Sequence, residues 1–270
     1  MPELPEVETT VRGLAKVLEG RRIDSIEVRR PDLRRPFPEG LGQALTGATV
    51  TSLGRRAKFG IIETDRGDAL IFHLGMSGRW RIDPDEIGKH DHLVVTTGSR
   101  VLSLNDPRRF GSVDLVRSEA IGSFASFLEL GPEPVVGAIS GEQLRGALDG
   151  RKAAIKLLLL DQRVIAGLGN IYVCEALWRA QIHPKRAGGR ISLDRLDRLA
   201  DAIVEVIGEA IEAGGSTLRD FAAPDGELGY FAKSFDVYGR EGEQCRRCGG
   251  EVKRIVQGAR STFFCGACQS

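Results

Sequence analysis

The chain opens Met1-Pro2-Glu3-Leu4-Pro5-Glu6. A small second residue favours removal of the initiator methionine, which leaves Pro2 with a secondary α-amine. An α-amine has a reference pKa of about 7.7–8.0, against about 10.4 for lysine. A sizeable fraction is therefore neutral near pH 7 and can form a Schiff base with a carbonyl or latent-aldehyde carbon. Glu3 and Glu6 lie close by and can move protons. Taken alone, the same six residues also read as an ordinary frayed terminus.

A second group sits at the far end. Cys245-x-x-Cys248 and Cys265-x-x-Cys268 are separated by 16 residues. Two such knuckles give a tetrahedral four-thiolate site for one structural Zn2+, with no open position for hydrolysis. The fifth cysteine, Cys174, lies in the apolar run 171–177 and reads as an inert core residue. Between the knuckles, Arg254 and Arg260 are either contact residues or solvated surface, and Ser261-Thr262 can reach a phosphate.

These residues need a scaffold. Of 270 residues, 41% are hydrophobic and 28% charged, the composition of a folded soluble chain. No signal peptide and no membrane span are expected, so the chain reads as cytoplasmic. The net charge of +1 does not by itself favour a nucleic acid. Its distribution does: residues 237–270 carry six basic and three acidic residues, with smaller basic clusters at 29–35, 55–58 and 108–109.

A short helix is predicted from Pro5 to Leu18. After it come seven β-like runs, at 22–29, 49–53, 59–63, 69–74, 93–96, 101–104 and 111–116. Short strands with hairpin turns and no intervening helices argue for an antiparallel sandwich or barrel. Gly131-Pro132-Glu133-Pro134 reads as a linker. Helices are predicted beyond it at 141–148, 152–160, 173–180 and 193–213, the last ending at Gly214-Gly215. Residues 216–238 lack a clean period and have the length of a functional loop. The expected division is therefore a β-sandwich over 1–130, a helical domain over 131–236, and a metal-dependent finger over 237–270.

Seven motifs complete the picture. They are PELPEVET at 2–9, RRAKF at 55–59, HLGMSG at 73–78, KHDH at 89–92, DPRRFG at 106–111, GLGNIY at 167–172, and the four-cysteine finger. Jointly and in this order, over essentially the full length, they resemble formamidopyrimidine-DNA glycosylase, a bacterial DNA glycosylase and AP lyase. Leu4 stands where the sister family acting on oxidised pyrimidines typically has glycine. A non-catalytic DNA-binding paralogue and a zinc-ribbon interaction module would share parts of this pattern. The enzyme alone needs Pro2, Glu3 and Lys58, and the ribbon explains nothing before residue 237.

The resemblance implies a helix-two-turns-helix motif in the helical domain and removal of oxidised purines from duplex DNA. Pro2 attacks C1′, Glu3 assists ring opening, and β- and δ-elimination follow. Lys58 is implied as proton donor for the first elimination. Arg260 serves the second, and a guanidinium, a poor acid, suits that role best as a phosphate clamp. Met76 and Phe110 are implied as wedges beside a flipped-out base, although both also suit a core. Arg108 faces the orphan base, preferably cytosine. Arg151, Lys156 and Asn170 are implied phosphate contacts, and His90 is either a DNA contact or a satisfied structural histidine. Glu6, Thr217 and Tyr230 belong with the loop over the extruded base. A monomer is expected, acting at the bacterial nucleoid. Chelation should unfold residues 237–270 and abolish DNA binding, read by circular dichroism and gel shift; full binding by a Cys248→Ser chain would contradict the zinc assignment.

Overall fold

In a computed structural model of the chain, residues 2–135, 137–216, 223–226 and 229–270 are described. They form two compact units, Met1–Leu128 with Ala213–Tyr230, and Glu129–Glu212 with Phe231–Ser270. Among the described residues no helix is long and apolar enough to cross a membrane.

The first unit begins with helix α1 (Leu4–Leu18). Leu4, Val7, Val11, Leu14 and Leu18 recur at alternating intervals of three and four, so a single stripe is buried. Two four-stranded antiparallel sheets follow. One runs β1 (Ser25–Val28), β6 (Asp91–Thr97), β7 (Arg100–Asn105), β5 (Arg79–Ile82). The other runs β2 (Val50–Arg56), β3 (Phe59–Thr64), β4 (Asp68–His73), β8 (Ser112–Arg117). The main core takes residues from both sheets and from the α1 stripe. Phe72 and Trp80, one from each sheet, meet edge to face at 5.6 Å between centroids.

The predicted sandwich is thus present, with two elements that the pattern did not reveal. The five-residue helix α2 (Leu41–Leu45) is too short and glycine-rich to show a period. β5 has only four residues, Arg-Trp-Arg-Ile. The first β-like run also contracts to β1, with Arg22 making only an isolated bridge to Thr49.

The second unit contains α3 (Gly141–Leu148), α4 (Ile155–Leu159), α5 (Asn170–Arg179) and α6 (Leu193–Glu212). Ser140 caps α3, its hydroxyl accepting from the Gln143 amide. The helix expected from residue 152 begins later because the chain before it is paired elsewhere: Ala154 bridges Ala187, and the Ile155 amide donates to the Arg186 carbonyl at 2.7 Å. Strands β9 (Val252–Gln257) and β10 (Arg260–Cys265) form a hairpin closed by Gly258-Ala259, both at positive φ, as a two-residue primed turn requires.

Grouping by compactness differs from the expected three segments. The four-cysteine segment packs into the helical unit, burying Cys174 and Trp178 of α5 with Val237, Val252 and Phe263. Residues 213–230 join the sandwich instead. Ser216 bridges Tyr230, and the Ile82 amide donates to the Pro224 carbonyl at 2.8 Å.

Gly60 of β3 lies directly beneath the Phe72 ring, where an added Cβ would come within 2.1 Å of it. Gly60→Ala should therefore cost about 1–3 kcal/mol by overpacking, seen as a lowered urea midpoint.

Candidate active site and metal centre

Pro2 is buried at the start of α1, followed by Glu3 at 2% exposure and Glu6 at 1%. The Glu3 amide donates to Glu6 Oε2 at 2.8 Å. The other oxygen of Glu6 accepts from the Ser216 amide at 2.8 Å and its hydroxyl at 2.9 Å. One carboxylate therefore fixes both the residue after Pro2 and the entry to segment 213–230. Tyr230, at the other end of that segment, is 62% exposed, and its amide donates to the Ala213 carbonyl. Thr217 lies outside the described residues.

The next turn of α1 positions Lys58. Glu8 pairs with Arg55 Nε at 2.9 Å and Arg12 Nε at 2.8 Å. Burial opposes the charge of Glu8, but the hydrogen bonds and charges of the two arginines win and lower its pKa. Arg55 also donates to the Ala57 carbonyl at 2.9 Å, fixing the β2–β3 turn. Ala57 sits at φ 51°, and Lys58, next to it, is 7% exposed.

His73 ends β4 near Lys58. Burial, then the positive charges of Lys58, Arg34 and Arg35, pulls its pKa down to about 4. It is therefore neutral at physiological pH. Its Nδ1 accepts the Gly75 amide at 3.0 Å, which places the proton on Nε2, and its ring lies 4.8 Å from that of Phe59. The motif containing His73 was visible in the sequence, but its role was not: an HLGMSG string does not show three cations converging on the ring.

Two exposed apolar tips stand close by in the same unit. Met76 is 40% exposed and Phe110 44%, so neither is a core residue. Arg108 lies over the Phe110 ring, its guanidinium carbon 4.8 Å from the centroid. The two loops are joined by Asp106, which is fully buried and accepts from the Ser77 hydroxyl at 2.7 Å and the Gly111 amide at 2.8 Å. Gly75, at φ +61°, completes the contact, because an added Cβ would fall 2.3 Å from the Phe110 carbonyl carbon. His90 lies on the partly exposed turn before β6, its carbonyl accepting from the Asp106 amide at 2.9 Å.

In the second unit Asn170 starts α5. Its Nδ2 donates to the Ser261 carbonyl at 2.9 Å and to the Tyr238 hydroxyl at 3.4 Å. Ser261 adjoins Arg260, which is exposed at the start of β10, immediately after Ala259 at φ 59°. Arg254 is engaged within the hairpin segment, donating to the Ser261 hydroxyl and pairing with Glu241. Arg151 is exposed. Lys156 is fully buried, which departs from the surface position that a phosphate contact would take. Sequence reasoning missed Glu175, whose buried carboxylate accepts the amides of Asp236, Val237 and Tyr238 at 2.8–3.0 Å. Burial raises its pKa against the pull of those three amides.

Cys245, Cys248, Cys265 and Cys268 bring their four sulfurs within 4.8 Å of one another. Two knuckles converging on one point, with all-thiolate donors, fit a closed tetrahedral metal site. Cys245 and Cys265 are buried and Cys248 is exposed.

Comparisons with known proteins agree along the whole chain. Residues 1–113 match the formamidopyrimidine-DNA glycosylase N-terminal domain, 130–222 its H2TH domain, and 242–270 a zinc finger found in FPG and IleRS. Formamidopyrimidine-DNA glycosylases of Rhizorhabdus wittichii and Novosphingobium aromaticivorans are each 66% identical over 270 residues, covering 100% of both chains. A Lactococcus lactis FPG in complex with Fapy-dG-containing DNA superposes with a TM-score of 0.93 at 38% identity, again covering 100% of both chains.

The fold disfavours the charged form of His73, so the unfolded chain, with a histidine near 6.5, binds the proton more tightly than the folded one. This contribution to stability is present above about pH 6.5 and is lost as pH falls toward about 4. A His73→Gln chain should therefore lose less stability than the parent over that interval, measured by urea unfolding at stepped pH.

Proposed function

Because the chain belongs to the formamidopyrimidine-DNA glycosylase family, we propose that its own Pro2 amine is the nucleophile of the family's reaction. The chain is a base-excision repair glycosylase and AP lyase acting on oxidised purines, and it binds damaged double-stranded DNA. The observation that carries the residue assignment is the buried Glu3–Glu6–Ser216 arrangement directly behind Pro2.

The neutral amine attacks C1′ of the damaged nucleoside, and the glycosidic bond breaks with its electron pair leaving on the base. Glu3 donates to and recovers protons from the opening sugar. The resulting iminium acidifies C2′, so loss of that proton expels the 3′ phosphate, and a second elimination expels the 5′ phosphate. Lys58 supplies a proton or holds a phosphate at the first elimination. Arg260 clamps the phosphate that leaves in the second, since a guanidinium does not give up its proton. His73, being neutral, adds no positive charge beside Lys58.

A flipped base leaves a gap, which Met76 and Phe110 fill as apolar wedges. Arg108, stacked on Phe110, offers donors to the O2 and N3 acceptors of an orphan cytosine. Asn170, Arg151 and His90 are the proposed backbone contacts, and Glu6 and Tyr230 hold the segment that reads the lesion. The four cysteines hold one zinc ion, which supplies rigidity to the hairpin carrying Arg260. The reading extends to a monomer working in the cytoplasm at the nucleoid. Leu4 continues to argue against the pyrimidine-specific sister enzyme.

Borohydride added to the protein with a duplex carrying 8-oxoguanine opposite cytosine should trap a covalent adduct that peptide mapping places at Pro2. An extra residue before Pro2 should abolish it. Glu3→Gln should strongly lower base excision yet still nick a pre-formed abasic site. A crosslink at Lys58 would overturn the nucleophile assignment, and no crosslink with an intact strand would favour a non-catalytic paralogue.

A further inference from the structure

The metal-binding segment is gripped from outside its four sulfurs by the last turn of α5. Trp178 is 7% exposed, and its indole N–H donates to Cys245 Sγ at 3.3 Å. An indole nitrogen is a donor only, and Cys245 is itself buried, so the sulfur is the acceptor by chemistry as well as by geometry. Arg247 lies between the two ligands of the same knuckle. Its guanidinium stacks 4.1 Å from the centre of the Trp178 ring. It also donates to the carbonyls of Trp178 at 3.0 Å and Arg179 at 3.3 Å. Those carbonyls belong to the negative end of the helix, where a cation is favoured.

The same helix holds the hairpin at its other end. Asn170, Cys174 and Trp178 are spaced four apart and share a face. Asn170 holds Ser261, the neighbour of Arg260. Eight residues of helix separate the two grips by about 12 Å. A divalent ion in four thiolates leaves net negative charge on the sulfurs, and donors outside the ligand set tune and orient such ligands.

We infer that Trp178 is a positioning residue for the metal centre: its indole N–H takes up charge from the Cys245 thiolate and, with Arg247, latches the first knuckle onto the end of α5. This rests on the reading that the cysteines hold a metal. It adds that the ion's environment is set by the helix that also carries Asn170, so one element registers both ends of the Arg260 hairpin.

The intact protein provides the test. With 113Cd in place of the native ion, the Trp178 indole proton should show scalar coupling to the metal through the sulfur. Trp80, the other tryptophan, lies in the sandwich core and should show none. Trp178→Phe keeps an aromatic ring beneath Arg247 and removes only the donor. In cobalt(II)-loaded protein this variant should shift the sulfur-to-metal charge-transfer band to lower energy while keeping tetrahedral d–d bands. Its zinc should pass to a chromogenic chelator roughly 10- to 100-fold faster. Absence of the coupling together with wild-type band position and release rate in Trp178→Phe would overturn the inference. A protein that takes up no zinc, cobalt or cadmium would remove the metal reading as well, which separates the two failures. Loss of borohydride trapping at Pro2 with cadmium coupling intact would bear on the catalytic proposal alone.

Discussion

Glu6 places a carboxylate, nearly sealed from solvent, against donors that include the Glu3 amide and the amide and hydroxyl of Ser216. Burying such a polar group is offset by donors aimed at its oxygens. The donors depend equally on the acceptor, since a buried amide left without one costs about 1–3 kcal/mol. The start of α1, the backbone beside the proposed nucleophile and the entry to segment 213–230 therefore stand or fall together. One turn later Glu8 extends the same helix through Arg55 to the Ala57 carbonyl and so to the Lys58 turn. Positioning in the sandwich unit radiates from the first two turns of a single helix.

Of the five described non-glycine residues at positive φ, Asp83 and Gln181 lie elsewhere and three lie beside the groups assigned to the site. Ala57, Arg109 and Ala259 have positive φ without being glycine. They adjoin Lys58, Arg108 with Phe110, and Arg260 respectively. Each left-handed residue of this kind costs about 1–2 kcal/mol, which surrounding hydrogen bonds must offset. The Arg109 amide donates to the Asp106 carbonyl, and the Arg55 guanidinium to that of Ala57.

Much of this was legible in the chain. The sandwich follows from short alternating runs and turn residues, and α6 from its unbroken apolar period. The cysteine spacing alone announces the metal centre. What stayed hidden required contacts between distant residues. Ser216 and Glu6 are 210 positions apart, so no local pattern could assign segment 213–230 to the sandwich. The burial of Lys156 runs against the habit of its residue type. His73 stands within a legible motif, yet its depressed basicity comes from Lys58, Arg34 and Arg35, which arrive on other elements. Glu175 sits in an apolar helix with no sign of the three amides it receives.

Asp106 joins the Met76 turn to the Phe110 loop through two hydrogen bonds, and Gly75 brings the two backbones into contact. Such a joint makes the two loops one cooperative unit of local opening. Amide hydrogens on either side would exchange through the same event, and neither tip has a private hinge. The spacing of the Met76 and Phe110 tips is therefore set by the fold itself, and no free energy goes into assembling the pair when either tip is engaged.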